Sequence, residues 1–251
     1  MKSFPFKVAA VLIFMVHAAA AVQGQEPFFP SKAGIVLQYE DRDASGKLLS
    51  STTDSLSTFS GDFTKGYATM VSTESNQDGK TTAHTGIQFR FVDGEVITDI
   101  TATMEESLKE MVAQSLAASG ASEEDMKEMG AVLDQTTVSG ECRGIPADIS
   151  EGMELPEYSA EVKLMFVKVK VSSKDRKVSG RETVTVPAGT FDCFVVEEQM
   201  TVKSMFMSEK SSMKTWYARG IGVVKEETWD KKKLVSVSEL TAIRGGFMAI
   251  K

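Results

Sequence analysis

The 251-residue chain carries 35 acidic and 28 basic side chains, so its net charge is −7, and 42% of its residues are hydrophobic. This length is enough for one large domain or two small domains with a sizeable core. The acidic balance excludes attraction to nucleic acid or to anionic lipid headgroups through bulk charge.

The N-terminus has the pattern of an export signal. Lys2 and Lys7 form a short positive region, an apolar run follows, and Val22-Gln23-Gly24 satisfies the small-x-small rule for cleavage. The apolar run is shorter than the roughly 20 residues that span a bilayer. We therefore predict a signal peptide over residues 1–24 and a single β-rich domain over residues 25–251, soluble in the periplasm or outside the cell.

Most of the domain has the pattern of short strands separated by polar turns. The runs are rich in Val, Thr, Phe and Ile, and many alternate apolar with polar residues, as half-buried strands do. Turns such as "DASGK" and "NQDGK" are typical of tight hairpins. This pattern predicts an antiparallel meander. The predicted strands cover residues 34–41, 67–75, 85–94, 162–171, 181–186, 191–199, 213–220, 221–229 and 234–243.

One segment, residues 103–134, has helical spacing instead. Thr103-x-x-Glu106 is a capping-box signature, and Gly120 is a natural stop between two helices. We predict a helical hairpin inserted between two groups of strands. Its apolar faces carry Met104, Leu108, Met111, Met126 and Met129. An irregular crossover with Pro146 and Pro156 is predicted after it.

The stretch "VPAGTFDCFVVEE", residues 186–198, is typical of a turn and not of a site. Pro187, Ala188 and Gly189 suit a three-residue hairpin loop with a glycine bulge. Apolar residues on both faces of the following strand predict that it is central to the fold. Glu197 and Glu198 are adjacent, so in a strand they point to opposite faces and cannot act as a carboxylate pair.

Both cysteines, Cys142 and Cys193, lie in the exported part of the chain. An oxidising compartment would allow them to pair. The sequence leaves two readings open, a disulfide between them or two free buried thiols. A redox site is disfavoured because the chain has no Cys-x-x-Cys pair.

The order of these motifs carries a family resemblance. "VPAGTFDCFVV", "KTWYARGIGVVKEE" and "LVSVSEL", together with "FFPSKAGIVLQYEDRDASGK" and "IPADISEGMELPEYS", resemble the TapB-like group of exported bacterial envelope proteins of unknown function. In expected fold the chain more distantly resembles the LolA/LolB lipoprotein carriers. The resemblance implies an α+β fold that is mainly β, a strongly bent antiparallel sheet or half-barrel with helices closing its concave side. It implies no catalytic residues.

The residue types and motifs that catalysis or metal binding requires are sparse in this sequence. His84 is the only histidine after signal cleavage, and no Gly-x-Ser-x-Gly motif is present. One histidine and two distant cysteines do not make a zinc site. Asp41, Asp43 and the Asn76–Asp78 turn do not follow calcium-loop spacing. We therefore predict no enzymatic activity, no metal and no cofactor.

Methionine gives the best functional indication, because its flexible side chain suits surfaces that adapt to varied apolar partners. The methionine faces of the helices are either ordinary core or a lid over an apolar cavity, with Trp216 as a further candidate lining residue. The leading hypothesis is a non-enzymatic protein that binds an apolar, lipid-like ligand or a protein partner in a bent-sheet cavity. The alternative is a ligand-free structural or assembly module of the cell envelope, and an enzyme of unknown type is the third reading.

Overall fold

The computed structural model describes residues 26–103, 137–164, 167–204 and 208–245, leaving aside the side chains of Leu164 and Val167. In these residues, twelve antiparallel strands close into a barrel, in the order β1-β12-β11-β10-β9-β8-β7-β6-β5-β4-β3-β2. The strands are β1 (Val36–Asp43), β2 (Leu48–Gly61), β3 (Lys65–Asn76), β4 (Thr81–Val92), β5 (Glu95–Thr98), β6 (Thr137–Arg143), β7 (Tyr158–Leu164), β8 (Val167–Val186), β9 (Gly189–Lys203), β10 (Ser208–Ala218), β11 (Gly222–Asp230) and β12 (Lys233–Arg244).

The mainly β prediction is confirmed, but the half-barrel prediction is wrong because the sheet closes on itself. The seam between β5 and β6 has only two paired positions, Ile97 with Arg143 and Thr98 with Cys142. β1 pairs with both β12 and β2, which joins the first and last strands. The barrel is therefore closed by strand pairing. The prediction had instead left one side of the sheet open, to be covered by helices.

The predicted helical hairpin at about 103–134 lies outside the described residues, except for its start. Residues 100–103 are helical. Asp99 caps this turn, because its Oδ1 accepts a hydrogen bond of 3.0 Å from the Ala102 amide and its carbonyl accepts one of 2.9 Å from the Thr103 amide. The helix thus begins earlier than the predicted capping box, and the Thr103 hydroxyl instead accepts a hydrogen bond from the Gln88 amide.

Several strands differ from the predicted pattern, since β2, β5 and β6 were not predicted. β2 has no predicted counterpart, because its serines and threonines obscure the apolar alternation although Leu56 is fully buried. In contrast, the predicted strand 162–171 is divided between β7 and β8, and β8 continues unbroken through residues 167–186 to include the predicted strand 181–186. Irregularities of register at 174–177 and 178–180 bend this strand without ending it.

The β8–β9 hairpin has a two-residue loop and not the predicted three-residue loop. Val186 pairs directly with Gly189, which leaves only Pro187 and Ala188 between the strands. Gly189 does have a positive φ of 143°, a conformation that side chains with a Cβ rarely adopt.

Replacing Gly189 with valine should therefore destabilise the protein. We expect a loss of about 1 to 2 kcal/mol in the free energy of unfolding, because a β-branched residue is strained at this φ. Urea denaturation of the Gly189→Val variant measures the loss. Ala188→Val, one residue earlier and at a negative φ, is the matched control, and an equal loss in both variants would contradict the backbone explanation.

β9 is buried on both faces, as predicted for a central strand. Cys193 and Val195 belong to one hydrophobic cluster, and Phe194 and Val196 belong to another on the opposite face. The second cluster includes the irregular crossover that follows β6. Its apolar side chains Ile145, Ile149 and Leu155 pack against the Phe194 face of the sheet.

Candidate ligand-binding cavity

Two phenylalanines before β1 pack against the concave face of the sheet. The ring centroid of Phe28 lies 5.6 Å from that of Phe194 and 6.3 Å from that of Tyr217. Phe29 lies 4.9 Å from Phe89 and 5.3 Å from Phe91. The edge-to-face geometry of these pairs favours a fixed position for the segment. The segment is also anchored by its backbone, since the Gly220 amide donates to the Pro27 carbonyl at 2.8 Å.

A cavity of about 340 Å³ lies beside these rings. Residues of seven consecutive strands, from β4 through β1 to β10, line it, so it lies inside the barrel. Its volume is at the small end of the range for small-molecule sites, roughly 300 to 1,000 Å³. The apolar lining consists of Phe28, Phe29, Pro30, Leu37, Met70, Phe89, Ile221 and Val223.

One part of the cavity wall is polar. Asp41, Asp54 and Glu226 line it together with Thr52 and Ser238. Oδ1 of Asp54 is buried and has no hydrogen-bond partner in the described structure. The Glu226 carboxylate accepts a hydrogen bond of 3.2 Å from the Thr215 hydroxyl.

Burial changes the protonation of these groups. It raises the pKa of Glu226 to about 7, although the hydrogen bond from Thr215 acts in the opposite direction. Burial also raises the pKa of Asp54 and that of the Tyr39 hydroxyl. The Tyr39 hydroxyl donates to the Val223 carbonyl at 3.0 Å. At neutral pH the cavity therefore combines an apolar wall with a carboxyl group that can be protonated or ionised.

Arg176 forms a second polar centre inside the barrel, where only 3% of its side chain is exposed. Its Nε donates to Oε2 of Glu198 at 2.9 Å. Its other nitrogens donate to three backbone carbonyls at the two ends of the crossover, those of Arg143, Gly144 and Pro156, at 2.8 to 3.1 Å. Because these hydrogen-bond donors and acceptors pair with one another, the arrangement stabilises the fold and is not an open binding site.

A larger depression of about 610 Å³ lies at the β8–β9 hairpin. Its charged side chains already have partners: Glu182 accepts a hydrogen bond of 2.8 Å from the Trp216 indole and pairs with Lys214 at 3.1 Å. The guanidinium of Arg181 stacks on the Phe194 ring at 4.2 Å. This depression therefore offers fewer free groups to a ligand than the cavity among the phenylalanines does.

Of the predicted lining residues, only Trp216 lies in the part of the chain that the structure describes. Met104, Leu108, Met111, Met126 and Met129 lie outside the described residues. Trp216 is buried, but its indole donates to Glu182 on the face of β10 opposite to the cavity. Its neighbour Tyr217 is the residue of β10 that lines the cavity.

Both cysteines are free thiols in this structure, which corresponds to the second of the two readings that the sequence left open. Cys142 lies on β6 and Cys193 on β9, with β7 and β8 between them. Neighbouring strands are about 4.8 Å apart, which puts the two strands well beyond disulfide distance. Burial raises the pKa of the Cys193 thiol to about 11 and also raises that of Cys142.

The acidic residues of the barrel interior were not predicted as part of a site. Glu198 follows Phe194 and Val196 on one strand face, and Asp54 precedes Leu56 on another. A carboxylate at an apolar position of an alternating strand is the signal that could have identified both.

Comparisons with known proteins decide the family. A model of the DUF3108-like family matches residues 32–240. The chain belongs to the DUF3108-like family. These comparisons do not confirm the TapB-like assignment or the resemblance to LolA/LolB carriers. No match is found among curated proteins.

Two solved structures resemble this DUF3108-like barrel. One is described as a candidate lipoprotein from Parabacteroides distasonis ATCC 8503, with 20% identity and a TM-score of 0.64. The other, from Bacteroides fragilis NCTC 9343, is described as a candidate exported protein with a YmcC-like fold, with 21% identity and a TM-score of 0.64. Each match covers 88% of this chain and 100% of the other chain. At these identities the similarity shows the fold alone.

Proposed function

We propose that this DUF3108-like protein is an exported, non-catalytic protein that binds a small apolar ligand inside its barrel. The observation that carries the proposal is the cavity of about 340 Å³ beside Phe28 and Phe29. Its wall is mostly apolar with a few polar groups, the composition usual for small-molecule sites.

Export is supported by two independent observations. The N-terminal pattern from Lys2 to Gly24 is that of a signal peptide. In addition, one structural neighbour is described as a candidate lipoprotein and the other as a candidate exported protein. Among the described residues, no helix is both long and apolar enough to cross a membrane.

The size and chemistry of the cavity restrict the ligand. A volume of about 340 Å³ is too small for a whole two-chain lipid, but it suits a single short chain or a small ring system. The carboxyl groups of Asp54 and Glu226 on its wall can hydrogen-bond a polar end. An apolar body with one polar end therefore fits better than a hydrocarbon without polar atoms.

Filling the cavity should weaken binding strongly. Thr52 lines the cavity from β2, whereas its neighbour Thr53 points to the opposite face of that strand. We expect Thr52→Phe to weaken binding of the neutral probe N-phenyl-1-naphthylamine roughly tenfold or more, because the added ring occupies the ligand volume. Fluorescence titration measures the change.

Thr53→Phe is the matched control and should bind the probe as the wild type does. Thermal melts of both variants show whether the fold is retained. Wild-type protein that binds no apolar probe would contradict the proposed function and would favour the alternative, a ligand-free structural module. Equal weakening in the two variants would place the binding outside this cavity.

A further inference from the structure

We propose that the outer face of β7 to β10 binds the surface of an anionic phospholipid membrane. Ser173 and Glu198 are buried against Arg176 inside the barrel. Their neighbours Lys174 and Gln199 pair with each other and therefore point outward. The strand register places further lysines on the same side. The lysine face consists of Lys163, Lys168, Lys170, Lys174, Lys203 and Lys210, all of them exposed.

The register of this face places like charges opposite each other. Lys163 pairs with Lys168 across β7 and β8, and Lys170 pairs with Lys203 across β8 and β9. Directly opposed like charges destabilise a sheet. Lysines often protect edge strands from aggregation, but each of these strands has a partner on both sides. Edge protection therefore does not account for the lysine face.

Few of these charges are neutralised within the protein. Lys168 pairs with Glu161 at 2.7 Å, and Lys174 lies 3.9 Å from Glu157. Within the part of the chain that the structure describes, the other four lysines of the face form no ion pair. Lysines farther along the same sheet do have close partners, as Lys214 has in Glu182 and Lys225 in Glu227. The unpaired lysines of β7 to β10 thus lie near the turns where β7 meets β8 and β9 meets β10.

A depression of about 460 Å³ lies within the lysine face. Its lining consists of Glu157, Tyr158, Ser159, Lys170, Ser172, Lys174 and Lys203. Ammonium and hydroxyl groups are the donors that phosphate oxygens accept from. Three lysines and two serines around one depression therefore suit a phosphate headgroup, and the remaining lysines can reach neighbouring headgroups.

The overall negative charge of the chain does not prevent this contact. Electrostatic interactions decay within a Debye length, which is about 10 Å at 0.1 M salt. A membrane that meets the lysine face therefore experiences the local positive charge more than the distant acidic residues. Clusters of about four to eight basic side chains are the usual pattern for contacts with anionic membranes.

Vesicle co-sedimentation tests the proposal with two variants of equal charge. The variant K170Q/K203Q removes two lysines from the face, and K232Q/K233Q removes two from the β11–β12 turn. The vesicles contain phosphatidylcholine alone or with about one third phosphatidylglycerol, at about 0.02 M salt. We expect the wild type to bind only the anionic vesicles, and K170Q/K203Q to bind roughly tenfold more weakly. The turn variant should bind almost as the wild type does.

Several outcomes would overturn the proposal. One is wild-type protein that does not sediment with anionic vesicles. If that protein nevertheless binds inorganic phosphate, the depression is a site for a free anion. Others are equal binding to both vesicle types and equal weakening in the two variants. A thermal melt excludes unfolding as the cause, because removing the opposed Lys170–Lys203 pair should not lower the melting temperature.

Discussion

Replacing Arg176 with alanine should lower the free energy of unfolding by about 3 to 5 kcal/mol, because breaking a buried ion pair leaves its partner charged and buried. Glu198, which is 9% exposed, would lose its cation. The carbonyls of Arg143, Gly144 and Pro156 would lose their donor at the same time. Urea denaturation of the Arg176→Ala variant measures the loss.

Two controls make this result specific. Arg42 pairs with Glu40 at the surface, with 43% and 37% of the side chains exposed, so Arg42→Ala should cost less than about 1 kcal/mol. The double variant Arg176→Met/Glu198→Met removes both charges and keeps apolar volume in place. It should be more stable than Arg176→Ala. A loss from Arg176→Ala no larger than that from Arg42→Ala would contradict the structural role.

The stability of the protein should fall as pH rises from 5 to 8, and Glu226 should cause much of the fall. Its pKa is about 7 in the folded protein against 4.5 as the ordinary value. Between these values the folded protein keeps a proton that the unfolded chain releases, so a rising pH favours unfolding. The shift corresponds to about 3 kcal/mol at most. Asp54, whose pKa burial also raises, acts in the same direction.

Glu226→Gln should remove much of this pH dependence and stabilise the protein at pH 8. Its matched control is Glu227→Gln, on the opposite face of β11, where Glu227 pairs with Lys225 at 2.8 Å. The control should keep the wild-type dependence. The measurement is the free energy of unfolding in urea at pH 5 and pH 8 for all three proteins. An unchanged pH dependence in Glu226→Gln would show that this carboxyl group is not the titrating one.

The strands with clear alternation could be predicted from the sequence, and the closure of the barrel could not. Phe191 to Val196 predict a strand buried on both faces because every residue but Asp192 is apolar or Cys. The seam between β5 and β6 has only two paired positions, on either side of a long insertion, and leaves no local pattern. β2 was missed because Ser and Thr occupy most of its positions, and its burial depends on neighbouring strands.

The cavity was predictable only in outline. A bent sheet with an apolar concave side was expected, but the expected lining came from the helical segment and Trp216. The structure instead brings Phe28 and Phe29 from before β1 against Phe89 and Tyr217. Contacts between residues so far apart in the chain depend on the tertiary fold, which local spacing does not encode.

A crystal structure of the wild-type protein with 8-bromo-octanol tests the central claim most directly. The probe has an apolar body, one polar end and an atom with a strong anomalous signal. If the barrel binds small apolar ligands, the bromine should be located between Leu37, Met70 and Phe89, with the hydroxyl towards Asp54 or Glu226. Bromine found only on the outer surface, or an unoccupied cavity at saturating probe, would contradict the claim.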